Sequence, residues 1–364
     1  MGLMKAAGLK VRIDSAGNII GRRGGSEDLP AIMFGSHIDS VPGGGNYDGD
    51  VGVIGAIEVA QILNENNVTT RHPLEVVVFS DEEGGLVGSR AMTGHLSDSA
   101  LDVLSHSGKT IREGIREIGG NPENLDTSRY LPGDLAAFIE LHIEQGAVLD
   151  DEGIDIGVVE GIVGINWWDV TIDGVANHAG TTPMNKRNDA MLAAAELTLA
   201  VNRIITSQPG AQVGTVGRIR AEPGAPNVIP GKVVMSLEIR DLSEEKIRML
   251  FKRIETEAVE IAKKYGTPIS FAHIDVDAVP APTDNQMRAI ITAAAETLGL
   301  SYKLMPSGAG HDAQDMARIA PTGMIFVPSV GGISHSPAEF THPRDMANGA
   351  DVLLHTVLRI DAGM

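Results

Sequence analysis

Between Gly35 and Val53 the chain reads GSHIDSVPGGGNYDGDVGV, which sets His37, Asp39 and Asp48 in a glycine-rich stretch directly after an apolar run. Imidazole and carboxylate together are the ligand set of zinc and similar divalent ions. Acids placed this close to a core need compensation, and a cation supplies it. Gly43, Gly44, Gly45 and Gly49 let the backbone fold tightly around the acid between them. Two further segments end in the same chemistry: PLEVVVFSDEEGG brings Glu82 and Glu83, and LAAFIELHIEQG brings His142. Taken singly, each is ordinary. A lone strand-end histidine is usually structural, and a lone Asp among glycines is usually a turn residue. The repetition of acid and histidine at the ends of successive apolar runs is what points to a metal site.

Those runs dictate the elements. AIMFGSHI reads as a buried strand, and DVGVIGAIEVAQILNENN as a helix with Val53, Ile57 and Ala60 on one face. Strands alternating with helices predict an α/β fold with a mixed, largely parallel sheet flanked by helices, whose strand ends share one edge. From about Gly161 the pattern changes. INWWDVTIDGVAN alternates like a half-exposed strand, NDAMLAAAELTLAVNRIITS is a long helix, and AQVGTVGRIRAE and KVVMSLEIRDL are further strands. A charged amphipathic helix from Ser243 and a last strand, PISFAHIDV, complete the order β-α-β-β-α-β. That is the order of a ferredoxin-like sandwich. The expected organisation is a catalytic domain of residues 1–160 and 278–364, with residues 161–277 inserted as a lid or dimerisation domain.

At 364 residues, two domains are the default expectation. No apolar run is long enough to span a bilayer. The N-terminal residues show no secretion signal. Cysteine is absent, which excludes disulfides, thiolate ligands and a cysteine nucleophile. A net charge of −19 disfavours a nucleic-acid partner. A cytoplasmic enzyme with a small-molecule substrate is the expectation.

In GSHIDSVPGGGNYDG, DEEGG, ELHIEQG, GVANHAGTTPMNKRNDA, PNVIPG, LEIRD, SGAGHDAQDM and GGISHSPAEFT, the sequence resembles the hydantoinase/carbamoylase amidases, within a clan of two-metal aminopeptidase-like hydrolases. HIEQG with NHAGTTPM is the specific part, since the clan at large shares the other elements. The resemblance implies two divalent ions per subunit (zinc, manganese, cobalt or nickel). His37 and His335 would cap them from opposite sides, Asp48 would bridge, and Glu83 and His142 would complete the set. Glu82 would be the general base, and Asp39 would orient the His37 ring. Arg240 would bind the substrate carboxylate, with Gln145 and Asn227 hydrogen-bonding the substrate. His311, in a glycine-flanked His-Asp pair that suggests a site loop, would lie in or near the pocket without a ligand role. His178 would cross a homodimer interface to stabilise the oxyanion in the partner's site.

The implied reaction is hydrolysis of an N-carbamoyl-L-amino acid to amino acid, carbon dioxide and ammonia. Allantoate amidohydrolase and β-ureidopropionase are the alternatives within the class. A metal-bearing dimer without catalysis, or a peptidase of the clan, are the alternatives outside it. His342 rivals His335, but the SHSP context favours His335. Arg187 reads equally as a pocket residue or an exposed helix-start arginine. His72, His95, His106, His273 and His355 read as surface or core residues. The resemblance also implies a helical segment ahead of AGLKVRIDSAGN, a stretch that begins almost at Met1.

Overall fold

The computed structural model describes residues 1–105, 107–274 and 278–363. The chain divides into two compact units, Met1–Ile162 with Ala281–Met364, and Val163–Pro280. The junction expected at 277, like His106, lies outside the described residues.

The first unit is built on a nine-stranded mixed sheet. Its four central strands, Leu74–Phe79, Ala31–His37, Leu135–Ile143 and Thr322–Val327, are parallel. Antiparallel neighbours flank them, Ile19–Arg23 on one side and Ile156–Ile162 on the other. Central parallel strands are covered on both faces, so they read as unbroken apolar runs. AIMFGSH and LEVVVF are buried at every position. Even Glu75 is buried there, held by Arg22 Nη1 at 2.6 Å and by the Tyr130 hydroxyl at 2.8 Å.

Helix Asp50–Glu65 lays Val53, Ile57 and Ala60 into the core. Its closest approach is at Gly52, where a Cβ would stand 2.1 Å from the Leu141 carbonyl oxygen. That approach brings Asp48, just ahead of the helix, to the ends of the strands carrying His37 and His142. Helices Asn285–Thr297 and Pro343–Asp361 share this core. A separate apolar cluster that includes Met92 and Met316 forms around Phe79, Phe138 and Phe326.

The second unit is an antiparallel sheet in the order Ile219–Glu222, Lys232–Asp241, Gly164–Asp173, Ile269–Ile274. Helices Ala190–Thr206 and Glu244–Tyr265 pack on it. Taken in chain order, these strands have the second and third paired and the first between the third and fourth, the ferredoxin-like arrangement. AQVGTVGRIRAE, expected as one strand, is two, Val213–Thr215 and Ile219–Glu222. From Thr215 to Ile219 the edge advances four positions while its partner moves three, from Glu238 to Met235. The extra residue is accommodated as a β-bulge around Gly217. No helix among the described residues is long and apolar enough to cross a membrane.

Candidate metal centre

The central strands deliver two histidines to one edge. His37 ends its strand and His142 is the penultimate residue of its own. Both rings are buried, 1% exposed. Their Nδ1 atoms donate to main-chain carbonyls, His37 to Asp39 O at 3.0 Å and His142 to Ile143 O at 2.8 Å. In the neutral tautomer this fixes, each Nε2 is a bare lone pair. The two Nε2 atoms face each other at 3.5 Å, and Asp48 Oδ1 stands 3.7 Å from His37 and 3.0 Å from His142.

The other Asp48 oxygen faces a second group. Oδ2 is 3.2 Å from His335 Nε2 and accepts a hydrogen bond from Gln145 Nε2 at 2.8 Å. His335 Nε2 is also 3.3 Å from Glu83 Oε1. Asp48 therefore presents one oxygen to each of two clusters, His37–Asp48–His142 and Asp48–Glu83–His335, each with its ligand atoms within 4.8 Å of one another. The first is buried, while the side chain of His335 is 49% exposed.

A divalent cation fits these residues. With both rings neutral, the Nε2 lone pairs of two imidazoles and an oxygen of one carboxylate converge on one point. Glu83 Oε1 and Gln145 Oε1 are buried and accept no hydrogen bond. The loop leaves the space open through Gly49, where a Cβ would lie 2.5 Å from the His37 ring. The protonation pattern has the same cause. Burial alone would lower the His142 pKa, but Asp48 outweighs it and pushes the ring up to about 9. Burial would raise the pKa of Asp48, yet His142, His37 and Gln145 hold it well below the carboxylate range. Burial and then His142 push His37 down. Asp48 draws a proton onto His142, and a divalent cation would take the place of that proton.

Glu82 is buried beside this edge, its Oε2 3.8 Å from His37 Nε2. Its carboxyl is raised well above the usual range by burial first, then by Asp312, Glu140, Glu83 and Asp39. Asp39 orients His37 through its main-chain oxygen. Its carboxylate instead accepts from the backbone N–H groups of Glu82 at 3.2 Å and Glu83 at 3.0 Å, pinning the acidic pair.

His311 lies behind the site. It is 1% exposed, packs edge-on to His142 at 4.5 Å, and pairs with the Ser307 hydroxyl at 2.8 Å. A third group, Glu140–His142–His311, is also compact. It suits a metal less well, because Glu140 already accepts from Ser36 Oγ at 2.7 Å and from Ala313 N at 2.9 Å. His342 stands at the N-terminus of the last helix without a side-chain capping bond, its ring against Phe340.

The remaining expected residues lie on the second unit. His178 is exposed and pairs with Val228, next to Asn227, whose carbonyl accepts from Ala179 N at 3.0 Å. The His178 Nδ1 accepts from the N–H groups of Gly180 and Thr181 at 3.0 and 3.2 Å. Its neutral ring therefore carries its hydrogen on Nε2, a donor. Arg187 braces this turn, donating to Ala179 O at 2.6 Å and Thr182 O at 2.9 Å. Arg240 is half-buried and bound to Glu238 at 2.8 and 3.1 Å.

The residue that sequence reasoning missed is Glu339. It accepts from the backbone N–H groups of Tyr47 and Asp48, each at 3.0 Å. Its signal is faint, an acid four residues beyond a histidine in SHSPAEF.

The family model for peptidase family M20/M25/M40 matches residues 33–359. The chain is 42% identical to an N-carbamoyl-L-amino acid amidohydrolase of Geobacillus stearothermophilus, over 99% of this chain and 89% of that one. It is 40% identical to a ureidoglycolate hydrolase of Oryza sativa subsp. japonica, over 99% and 76%. Among solved structures, an amidase of the hydantoinase/carbamoylase family from Burkholderia multivorans superimposes with a TM-score of 0.90 at 36% identity, over 99% of this chain and 88% of that one.

Proposed function

This chain belongs to peptidase family M20/M25/M40 as an amidohydrolase of the hydantoinase/carbamoylase type, and from that premise we propose that it hydrolyses the ureido C–N bond of an N-carbamoyl-L-amino acid. One molecule of water is consumed, and the products are the free amino acid, carbon dioxide and ammonia. The observation that carries the reading is the convergence of three imidazole nitrogens on the two oxygens of Asp48.

In this reading His37, His142 and Asp48 hold one divalent ion, and Asp48, Glu83 and His335 hold a second. Such ions, when bound, lower the pKa of water and neutralise developing negative charge. Glu82 takes the proton of the attacking water and returns it to the leaving nitrogen. Asp39 keeps Glu82 and Glu83 in register for those separate tasks. The Nε2–H of His178 donates to the oxyanion, a role for which its tautomer is suited. Arg240 exchanges Glu238 for the substrate carboxylate, where guanidinium offers a two-pronged fit. Asn227 and Gln145 hydrogen-bond the substrate, while His311 supports the pocket from behind His142. The second unit serves as lid and dimerisation domain.

The test is ammonia release from a panel of N-carbamoyl-L-amino acids, allantoate, ureidoglycolate and β-ureidopropionate, before and after chelation. N-carbamoyl-L-amino acids are expected to turn over, chelator to abolish the activity, and manganese, cobalt, nickel or zinc to restore it. Turnover of allantoate or ureidoglycolate alone moves the substrate assignment. Full activity in exhaustively demetallated protein overturns the metal reading.

A further inference from the structure

We infer that Glu339 is a positioning residue that holds the second ion position, Asp48–Glu83–His335, in shape; the inference rests on the two-ion reading above. Glu339 is buried, 5% exposed. Its Oε1 accepts from the main-chain N–H groups of Tyr47 and Asp48, both at 3.0 Å. Its Oε2 accepts from the Ser334 hydroxyl at 2.9 Å. One carboxylate thus ties the loop bearing Asp48 to the loop bearing His335. Ser334 is also 3.4 Å from Asp48 Oδ2. A hydroxyl has one hydrogen. Donating it to Glu339 leaves Gln145 Nε2 as the side-chain donor to Asp48 Oδ2, so that the oxygen keeps a lone pair for an ion.

Both ends of the contact are fitted to each other. Opposite Glu339 the loop has Gly45, where a Cβ would stand 2.3 Å from Glu339 Oε1 and 2.4 Å from its Cβ. His335 needs this support. Its ring is half exposed and its backbone is left-handed, with φ 53°. Such a conformation persists in a non-glycine residue only when its surroundings enforce it. The first position depends less on Glu339, because His37 and His142 are fixed by their strands and by their Nδ1 bonds to carbonyls.

The experiment titrates manganese into metal-free protein by calorimetry, with the bound ions counted by elemental analysis. Wild type is expected to take up two ions. In Glu339→Ala the first should bind nearly as before and the second about 10–100-fold more weakly, the usual consequence of losing a group that orients a ligand. Gly45→Ala keeps the carboxylate but displaces it, and should act in the same direction. Glu339→Gln retains an oxygen for the two N–H groups and should recover most of the second affinity. Amide exchange on metal-free Glu339→Ala should show Tyr47 and Asp48 losing protection, a readout independent of turnover. If Glu339→Ala does not fold, the comparison of Gly45→Ala with Glu339→Gln decides between the outcomes. Unchanged second-ion affinity in the folded variants overturns the role of Glu339, as does equal weakening of both ions. Wild type that takes up fewer than two ions overturns the two-ion reading, and this inference with it.

Discussion

Glu82 and Glu83 are adjacent in the chain yet sit in different surroundings. Glu83 points an oxygen without a hydrogen bond at His335, while burial first, and then Asp312, Glu140, Glu83 and Asp39, raise the proton affinity of Glu82. A buried carboxyl group 3.8 Å from His37 Nε2, beside the position from which a water would attack, suits a general base. Glu82→Gln preserves shape but cannot accept the proton. It should keep its metal content while kcat falls by about two orders of magnitude or more. A loss of metal with normal turnover per bound ion would mean that the two glutamates have exchanged roles. At this scale, what the sequence makes legible is residue type at strand ends. His37 and His142 stand where unbroken apolar runs stop, so their shared edge follows from the parallel order. Glu339 is invisible to such reasoning, because its partners are two backbone N–H groups nearly three hundred residues away. His311 is partly legible: a glycine-flanked His-Asp pair suggests a loop at the site, but not that the ring packs against His142 and Phe326.

At the scale of elements, the helix Asp50–Glu65 must lie close enough to its sheet for Asp48 to meet both histidines. The distance is set at Gly52, where a side chain would collide with the Leu141 carbonyl at 2.1 Å and with Ser36 Cβ at 2.7 Å. Neither neighbour can swing away, since one is strand backbone and the other is attached directly to it. Gly52→Ala should therefore push the helix outward, lowering stability by about 1–3 kcal/mol through overpacking. Denaturant unfolding should show the loss, and ion affinity should fall with it because Asp48 moves with the helix. Unchanged unfolding would mean that the helix seats itself by other contacts. Long elements of this kind were legible, since period and burial agree along their whole length. The broken edge strand at Gly217 was not, because a bulge is a property of the pairing between strands and leaves no mark on the alternation of either one.

For the whole molecule, the proposed function requires His178 to donate to an oxyanion at the metal centre. His178 belongs to the second unit, whereas His37, Asp48, Glu82 and His142 belong to the first. Its Nδ1 is consumed by the turn at Gly180 and Thr181, which leaves an exposed Nε2–H with nothing in its own turn to bind. A two-fold dimer makes the same patch available twice, so a residue at an interface can serve the partner's site. The prediction is that His178 acts in trans. His178→Ala and Glu82→Gln should each be inactive as pure homodimers. After mixing and subunit exchange, a heterodimer pairs the intact Glu82 of one chain with the intact His178 of the other in one site, and leaves the second site doubly damaged. Half the dimers in an equal mixture are heterodimers, so activity should recover to about a quarter of wild type. If His178 serves its own chain, every site in every pairing lacks one of the two residues. In that case no activity returns, and a mixture that stays inactive after exchange has been verified by mass spectrometry excludes the shared site.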